Sequence, residues 1–307
     1  MADSFMTTAE VTKFNDSDLD VGIISDVLDD APVLARLAAR SIAGYTYKYL
    51  KRTANPTTGF RTENDGRDLN LGTYSTVTVT LAILDASFGV DVAVAQSDER
   101  GWSAMLGTQA IDHLRSAMAK AEDEILNGDN ANGFDAMADQ TTGHIGGAMN
   151  VNAAGTTADT ASSVYLVNTG ISDVHVVWGQ NGVIDVGETT IQKFAGSSTG
   201  SYPAYYTPIT SWCGLQVGGA YSLGRICNIT EDSGKGLSDA LISQAISKFP
   251  AGRGPSFMAM NRRSLQQLQA SRTATSPSGA PAAFPDSAFG IPIVVTDSLS
   301  ETEALLS

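Results

Sequence analysis

The chain has 307 residues, 42% hydrophobic and 17% charged, a globular balance with enough apolar material for one large core or two smaller ones. Its formal net charge is −14 and its pI about 4.5, so the surface as a whole repels polyanions and disfavours free binding of nucleic acid through a basic patch. Three histidines (His113, His144, His175) and two cysteines (Cys213, Cys227) stand at no ligand spacing, so neither a metal site nor a disulfide framework is read. The start, MADSFMTTAE, has no basic region followed by an apolar run, and no stretch reaches the length of a membrane span, so a cytosolic setting is expected.

In chain order, the first segment is polar as far as VGIISDVLDDAPVLARLAARSIAGYTYKYL. There Val33, Leu34, Leu37, Ala38 and Ile42 recur at helical spacing after Pro32, which predicts a short amphipathic helix near residues 31–43. KRTANPTTGFRTENDGRDLNLGTYST follows, a polar excursion with Pro56, Gly59, Gly66 and Gly72 and few large apolar groups. Such a stretch cannot bury itself, and within a compact domain it reads as an extended hairpin or loop that meets a partner.

TVTVTLAILDASFGVDVAVA alternates and is rich in β-branched residues, which predicts strands, one of them the return arm of that hairpin. From Ser97 to Leu126 the period becomes 3.6. Leu106, Ala110, Leu114, Ala117, Met118, Ala121 and Ile125 form one stripe of a long helix of roughly 45 Å, with Asp98 and Glu99 near its start and Asn127-Gly128 as its stop. The Gly-rich run after it predicts irregular loop. SVYLVNTG, DVHVVWGQNGVIDVG and ETTIQKF then read as strands, and SWCGLQVGGAYSLGRICNIT as two strand arms meeting in a hairpin at Gly218-Gly219. The last part alternates helix (LSDALISQAISKF), strand (SFMAMN), helix (RRSLQQLQASR) and strand (IPIVVTD), an α/β-type unit.

Catalytic chemistry finds little support. GRGPSF and GAPAAF match no phosphate-cradling motif, so no nucleotide and no other cofactor is expected. Cys213 and His175 both fall in strand patterns, where core packing is the ordinary role. His113 lies beside the helix stripe, and Glu122 and Asp123, about 100° apart on the helix, read as a solvated helix end rather than a shared acid/base site. The enzyme alternative is a hydrolase on the α/β unit.

The order of segments resembles the major capsid proteins of tailed bacteriophages with the HK97-like fold. The residues that carry it are AGYTYKYLKRT in the N-terminal arm, the polar excursion with its returning strand, the long helix closing in AEDEILNGDNANGF, the strand pair WCGLQVGGAYSLGRICNI, and GIPIVVTDSLSETE. The resemblance implies an α+β fold: an N-terminal arm (1–48), an extended loop (49–82), a peripheral domain (83–230) with a spine helix at about 97–126 and long β-strands, and residues 231–307 as most of an α/β axial domain.

It implies self-assembly as hexamers and pentamers into an icosahedral shell enclosing double-stranded DNA. Catalytic, cofactor and metal sites are not expected, and Arg52, Arg61, Glu63, Asp65 and Arg67 become candidates for intersubunit ion pairs. Some members of that fold weld subunits by an isopeptide bond from a loop lysine; residues 53–80 contain no lysine, so a non-covalent shell is expected. The N-terminal region is too short for a cleaved scaffolding segment, so a portal and a separate scaffolding protein are the expected partners. Nothing in the sequence indicates a decoration protein. Assembly in the host cytoplasm, no membrane, and residence in the virion complete the expectation. A cellular encapsulating shell of the same fold and a ring-forming tail protein are the alternatives.

Overall fold

The structure, a computed structural model, describes residues 6–8, 10–11, 30–67, 69–128, 131–141, 148–196, 200–274 and 280–306. Most of the chain before Asp30, Asp129 of the helix corner and His144 lie outside those residues.

The expected helix at 31–43 is a single turn followed by a strand. Backbone bonds Ala35 N to Ala31 O and Leu37 N to Val33 O close the turn, and the chain then extends as β1 (Ala38–Ser41), parallel to residues 175–178. Isolated helices of a dozen residues are marginal, and here a sheet edge more than a hundred residues downstream satisfies the same backbone groups. Val33 and Leu37 still bury their side chains, so the apolar spacing reports core contacts without reporting a helix.

β2 (Thr46–Ala54) and β3 (Thr73–Thr80) form an antiparallel hairpin from Thr46↔Thr80 to Ala54↔Thr73. Tyr47, Tyr49, Val77 and Val79 make its half-buried inner face, and the Tyr49 hydroxyl donates to Val217 O at 2.9 Å. These two strands are a sheet of their own, and only the base rests on the body of the molecule. β4 (Ala82–Asp85) and β5 (Phe88–Asp91) follow. The expected VDVAVA strand stops at Asp91, whose carboxylate accepts from Ala93 N and caps the short helix α1 (Val92–Ala95).

The long helix, α2, runs Trp102–Leu126 rather than from residue 97. Asp98 accepts from Arg100 N and pairs with its guanidinium, so it organises a turn before the helix, and Gly101 at φ 94 is a corner that a side chain would strain. Its 25 residues span roughly 37 Å. The buried stripe of Met105, Leu106, Ala117, Ala121, Ile125 and Leu126 follows the expected period.

After α3 (Met137–Thr141) and β6 (Asn150–Asn152), the chain extends as β7 (Ser162–Val167) and β8 (Val174–Trp178). It continues through β9 (Asp185–Val186) and the antiparallel pair β10 (Thr190–Ala195) and β11 (Ser201–Thr207) to β12 (Ile209–Val217) and β13 (Leu223–Ile229). The hairpin expected at Gly218-Gly219 does not form, because β12 pairs with β8 and β13 with β7. The two segments run antiparallel to one another along a bent ribbon, and both change sheet at the same corner. Gly218 sits there so close to the partner segment that a Cβ would lie 2.0 Å from Ser172 O, and its N–H donates to Asp173 O. The bend needs glycine for close approach, not for a tight turn.

α4 (Asp239–Ser247), β14 (Phe257–Met260), α5 (Arg262–Ala274), β15 (Ser287–Ala288) and β16 (Ile291–Val295) match the expected alternation. One six-stranded sheet, β15-β16-β14-β7-β13-β6, draws strands from both sides of residue 230, and α4 and α5 pack on it through Ile242, Ala245 and Leu268. A second sheet, β1-β8-β12-β4 with β9 on β12, shares a core with the C-terminal end of α2. A third, β10-β11-β5, packs with the first half of the helix. No helix among the described residues is long and apolar enough to cross a membrane.

Candidate functional site

The end of α2 is a junction of chain segments. Glu122, read from sequence as part of a solvated helix end, is fully buried. Its Oε2 accepts from Val33 N at 2.8 Å and Leu34 N at 2.9 Å, and its Oε1 accepts from the Thr296 hydroxyl just past β16. Asp123 pairs with Lys120 and accepts from the Asn127 amide, which also donates to Ser298 O at 2.7 Å. Glu124 accepts from Phe134 N at 3.1 Å, and a Cβ at Gly133 would lie 1.5 Å from its Oε1, so a side chain there would displace the carboxylate from this position. Three successive carboxylates thus fasten the N-terminal turn, the helix stop with the C-terminal segment, and the loop after the helix.

The C-terminal segment has a second anchor. Buried Arg225 donates to Ser163 Oγ at 2.9 Å and to Glu303 Oε2 at 3.0 Å, and Asn228 bonds the backbone of Leu306 through both its amide nitrogen and its carbonyl oxygen.

The hairpin differs from this stitched body. Beyond its inner tyrosines it lies away from the core, and its 18-residue tip (55–72) carries Phe60, Leu69 and Leu71 with 87% or more of their surface exposed, while Leu50 stands exposed on β2. The predicted contact residues all lie here: Arg52 on β2 opposite Tyr74, and Arg61, Glu63, Asp65 and Arg67 in the tip, every one exposed. Among the described residues none of them forms an ion pair within the chain. Arg61 donates to Asp65 O, Arg67 to Gly59 O, and the Asp65 carboxylate takes Gly66 N, contacts that shape the loop and leave its charge outward. Sequence reasoning missed Phe60, Leu69 and Leu71, single apolar residues in a polar run. With Leu50 they are four large apolar side chains exposed on one element whose strands form a sheet of their own.

No catalytic arrangement emerges from the residues weighed for one. Cys213 lies opposite Trp178 and His175 opposite Gln216, so the two are three positions apart along the β8–β12 pair and project to opposite faces. Burial pushes the Cys213 thiol up to about 12, far from a reactive thiolate, and burial followed by the charge of Arg40 depresses His175. His113 stacks on Phe88 with ring centroids 5.3 Å apart. Among the described residues no group of His, Cys, Asp and Glu could hold a metal ion.

A family model described as Major capsid protein GP7 matches residues 25–307. A chain from the structure of bacteriophage Epsilon15 superposes with a TM-score of 0.72 at 17% identity, over 100% of this chain and 98% of that one. The bacteriophage JBD30 capsid gives 0.51 at 11% identity, over 96% and 99%. The SrpI encapsulin of Synechococcus elongatus PCC 7942 reaches 0.42 at 8% identity, over 69% and 94%. At these identities the likenesses to the two phage chains establish the fold. No curated protein sequence matches the chain.

Proposed function

Because the chain belongs to the major capsid protein GP7 family, we propose that its protruding hairpin is the element by which one subunit grips the next in a phage shell. The protein is a structural capsid protein of the tailed-phage kind, with the mixed α+β, HK97-like fold. The observation that carries the hairpin's role is its exposed apolar tip, whose Phe60, Leu69 and Leu71 have no core of their own. Water contact by such groups is unfavourable by roughly 25 cal/mol per Å² of apolar surface, and a neighbouring subunit removes it.

On this reading residues 1–48 act as an arm over neighbours and 49–82 as the overlapping loop. Residues 83–230 form the peripheral domain, and 231–307 most of the axial domain around the capsomer axes. Hexamers and pentamers arise from heterologous contacts that close into rings, with further contacts between rings completing an icosahedral wall around double-stranded DNA. Arg52, Arg61, Glu63, Asp65 and Arg67 supply intersubunit ion pairs, each worth only ~0.2–1 kcal/mol when exposed and effective through repetition. The role is non-enzymatic. A portal and a separate scaffolding protein assist assembly in the host cytoplasm, and the acidic balance suits a wall that must not adsorb packaged DNA tightly.

Negative-stain electron microscopy with sedimentation tests the reading. Closed shells, or rings of five and six, are expected from the chain expressed with its neighbouring virion genes. A compact monomer under those conditions would overturn it.

A further inference from the structure

The base of the hairpin closes over a histidine that no hydrogen bond secures. His175 on β8 is fully buried, and neither of its ring nitrogens has a partner. Its neighbours across the sheet are Ala38 on β1 and Gln216 on β12, and Tyr47 of β2 meets its ring edge-on at 6.4 Å. Arg40 of β1 lies 4.7 Å over the Tyr47 ring and donates to its hydroxyl at 2.8 Å. Burying a polar ring without partners is unfavourable, and an apolar side chain would fill the same site without that cost.

The surroundings of His175 leave no place for a proton. The five strands that meet at the joint, β1, β2, β3, β8 and β12, contain no Asp or Glu at all. Arg40 brings a positive charge, Tyr47 and Tyr49 bring neutral phenols, and exposed Lys48 stands between them on the other face of β2. Gln216 Oε1 is buried without a partner, but a neutral amide accepts an N–H without offsetting a charge. Asp173, just before β8, gives its carboxylate to Ser222 at 2.7 Å and Arg253 at 2.8 Å. Burial, and after it the charge of Arg40, accordingly depress His175 below its ordinary value.

We propose that His175 is a proton-operated latch at the root of the hairpin: neutral, it lets Tyr47 close on the sheet, and protonated, it lifts the hairpin base away. The hairpin has room to respond. Its strands are a sheet of their own, tied down at the root by the Tyr47–His175 contact, by Tyr45 on Trp212 and by the Tyr49 hydroxyl on Val217 O. Beside that root lies a cleft of about 300 Å³ between Tyr49, Val77 and Val79 of the hairpin and Phe134, Leu215 and Val217 of the body. A closed joint holds no water for an imidazolium, and lifting Tyr47 admits it, so the proton and the open joint favour one another. With an ordinary value of ~6.5 in the open joint and a much lower one in the closed joint, acidification from pH 7.5 to 5 favours opening by up to about 30-fold. The latch is read from the single chain; that it re-aims a gripping arm rests on the reading above.

Hydrogen exchange on the unassembled full chain at pH 7.5 and 5, corrected for the intrinsic pH dependence of exchange, tests the latch. Protection of the amides at residues 46–50 and 76–80 is expected to fall about tenfold or more at the lower pH, while β7 and β13 keep theirs. His175→Gln, which cannot titrate, is expected to show one level of protection at both pH values, and His175→Phe serves if the glutamine variant does not fold. Should neither fold, the imidazole's own titration by NMR decides, since an ordinary value of ~6.5 in the closed chain would overturn the latch. Equal protection at both pH values in the parent chain, as a merely structural histidine requires, would also overturn it, and so would an equal fall in the variants. Either result leaves the capsid reading standing, which fails separately if the unaltered chain forms no particles with its neighbouring virion genes.

Discussion

Replacing Glu122 by alanine is expected to cost far more than truncation at an exposed helix end. The carboxylate is fully buried and accepts the Val33 and Leu34 amides at 2.8 and 2.9 Å, besides the Thr296 hydroxyl. Truncation strands the two amides at ~1–3 kcal/mol each, so the loss is about 2–6 kcal/mol, while the hydroxyl can rotate to another acceptor. With an unfolding entropy of ~2.1 cal/mol/K per residue, a chain of this length loses roughly 3–9 °C in Tm. Glu122→Gln keeps a carbonyl oxygen but loses charge assistance, and about 1–2 kcal/mol is expected for it. Calorimetry of the unassembled chain reads the Tm, and hydrogen exchange reads the amides of residues 33 and 34, which should exchange faster in the alanine variant. A Tm within about 1 °C of the parent, with exchange at both amides unchanged, would refute the idea that this carboxylate fastens the N-terminal turn.

Three further outcomes follow from the same structure. The Asp232 carboxyl is held well below the usual carboxylate range by the Thr157 hydroxyl, the Thr156 amide and the Thr230 hydroxyl. A depressed folded-state value means that its contribution is complete above the unfolded value of ~3.9 and fades as pH falls below that, so the stability gap between the parent chain and Asp232→Asn should be present at neutral pH and shrink on acidification; a gap independent of pH would count against it. Cys213, buried and with its thiol pushed up to about 12, and Cys227, also buried and raised chiefly by burial, should resist a thiol reagent until the chain unfolds, and fast labelling in the native protein would contradict their placement in the core. Because residues 53–80 hold no lysine and the hairpin's two lysines, Lys48 and Lys51, lie on β2 short of its tip, mature particles in a denaturing gel should run as single chains, and a ladder of cross-linked species would show otherwise.

How far the sequence could be read depended on whether an element's partner was local. The stripe of α2 was legible because 25 residues of one period name a helix whatever they pack against. Its start was misjudged because Asp98 and Glu99 resemble first-turn carboxylates, yet Asp98 spends its oxygens on Arg100. The segment at 31–43 has helical spacing, but its backbone partner is β8, and no local pattern reveals a strand that pairs with residue 175. The same blindness produced a hairpin at Gly218-Gly219, where two long segments bend together instead. Within the hairpin the charged tip residues were evident, whereas Phe60, Leu69 and Leu71 acquire meaning only once their exposure is known.

The corner at the end of α2 breaks a local rule, and the breach points to its use. Glu122, Asp123 and Glu124 occupy the last helical turn, which contains no basic residue, although anions near a helix C-terminus are disfavoured by ~0.3–1 kcal/mol each. Each carboxylate offsets this with bonds to a segment distant from it or returning to it: the N-terminal turn and Thr296, Asn127 that in turn holds Ser298, and Phe134 after the helix. Three stretches of chain are thereby referenced to one end of one rigid rod. If the arm and hairpin engage neighbours as proposed, force applied at residues 33 and 34 would pass to the helix through Glu122 rather than through a loop. A polar corner that looks unfavourable for an isolated helix is therefore the place where the turn at residues 31–37, the C-terminal segment and the loop after the helix are joined to one stiff element.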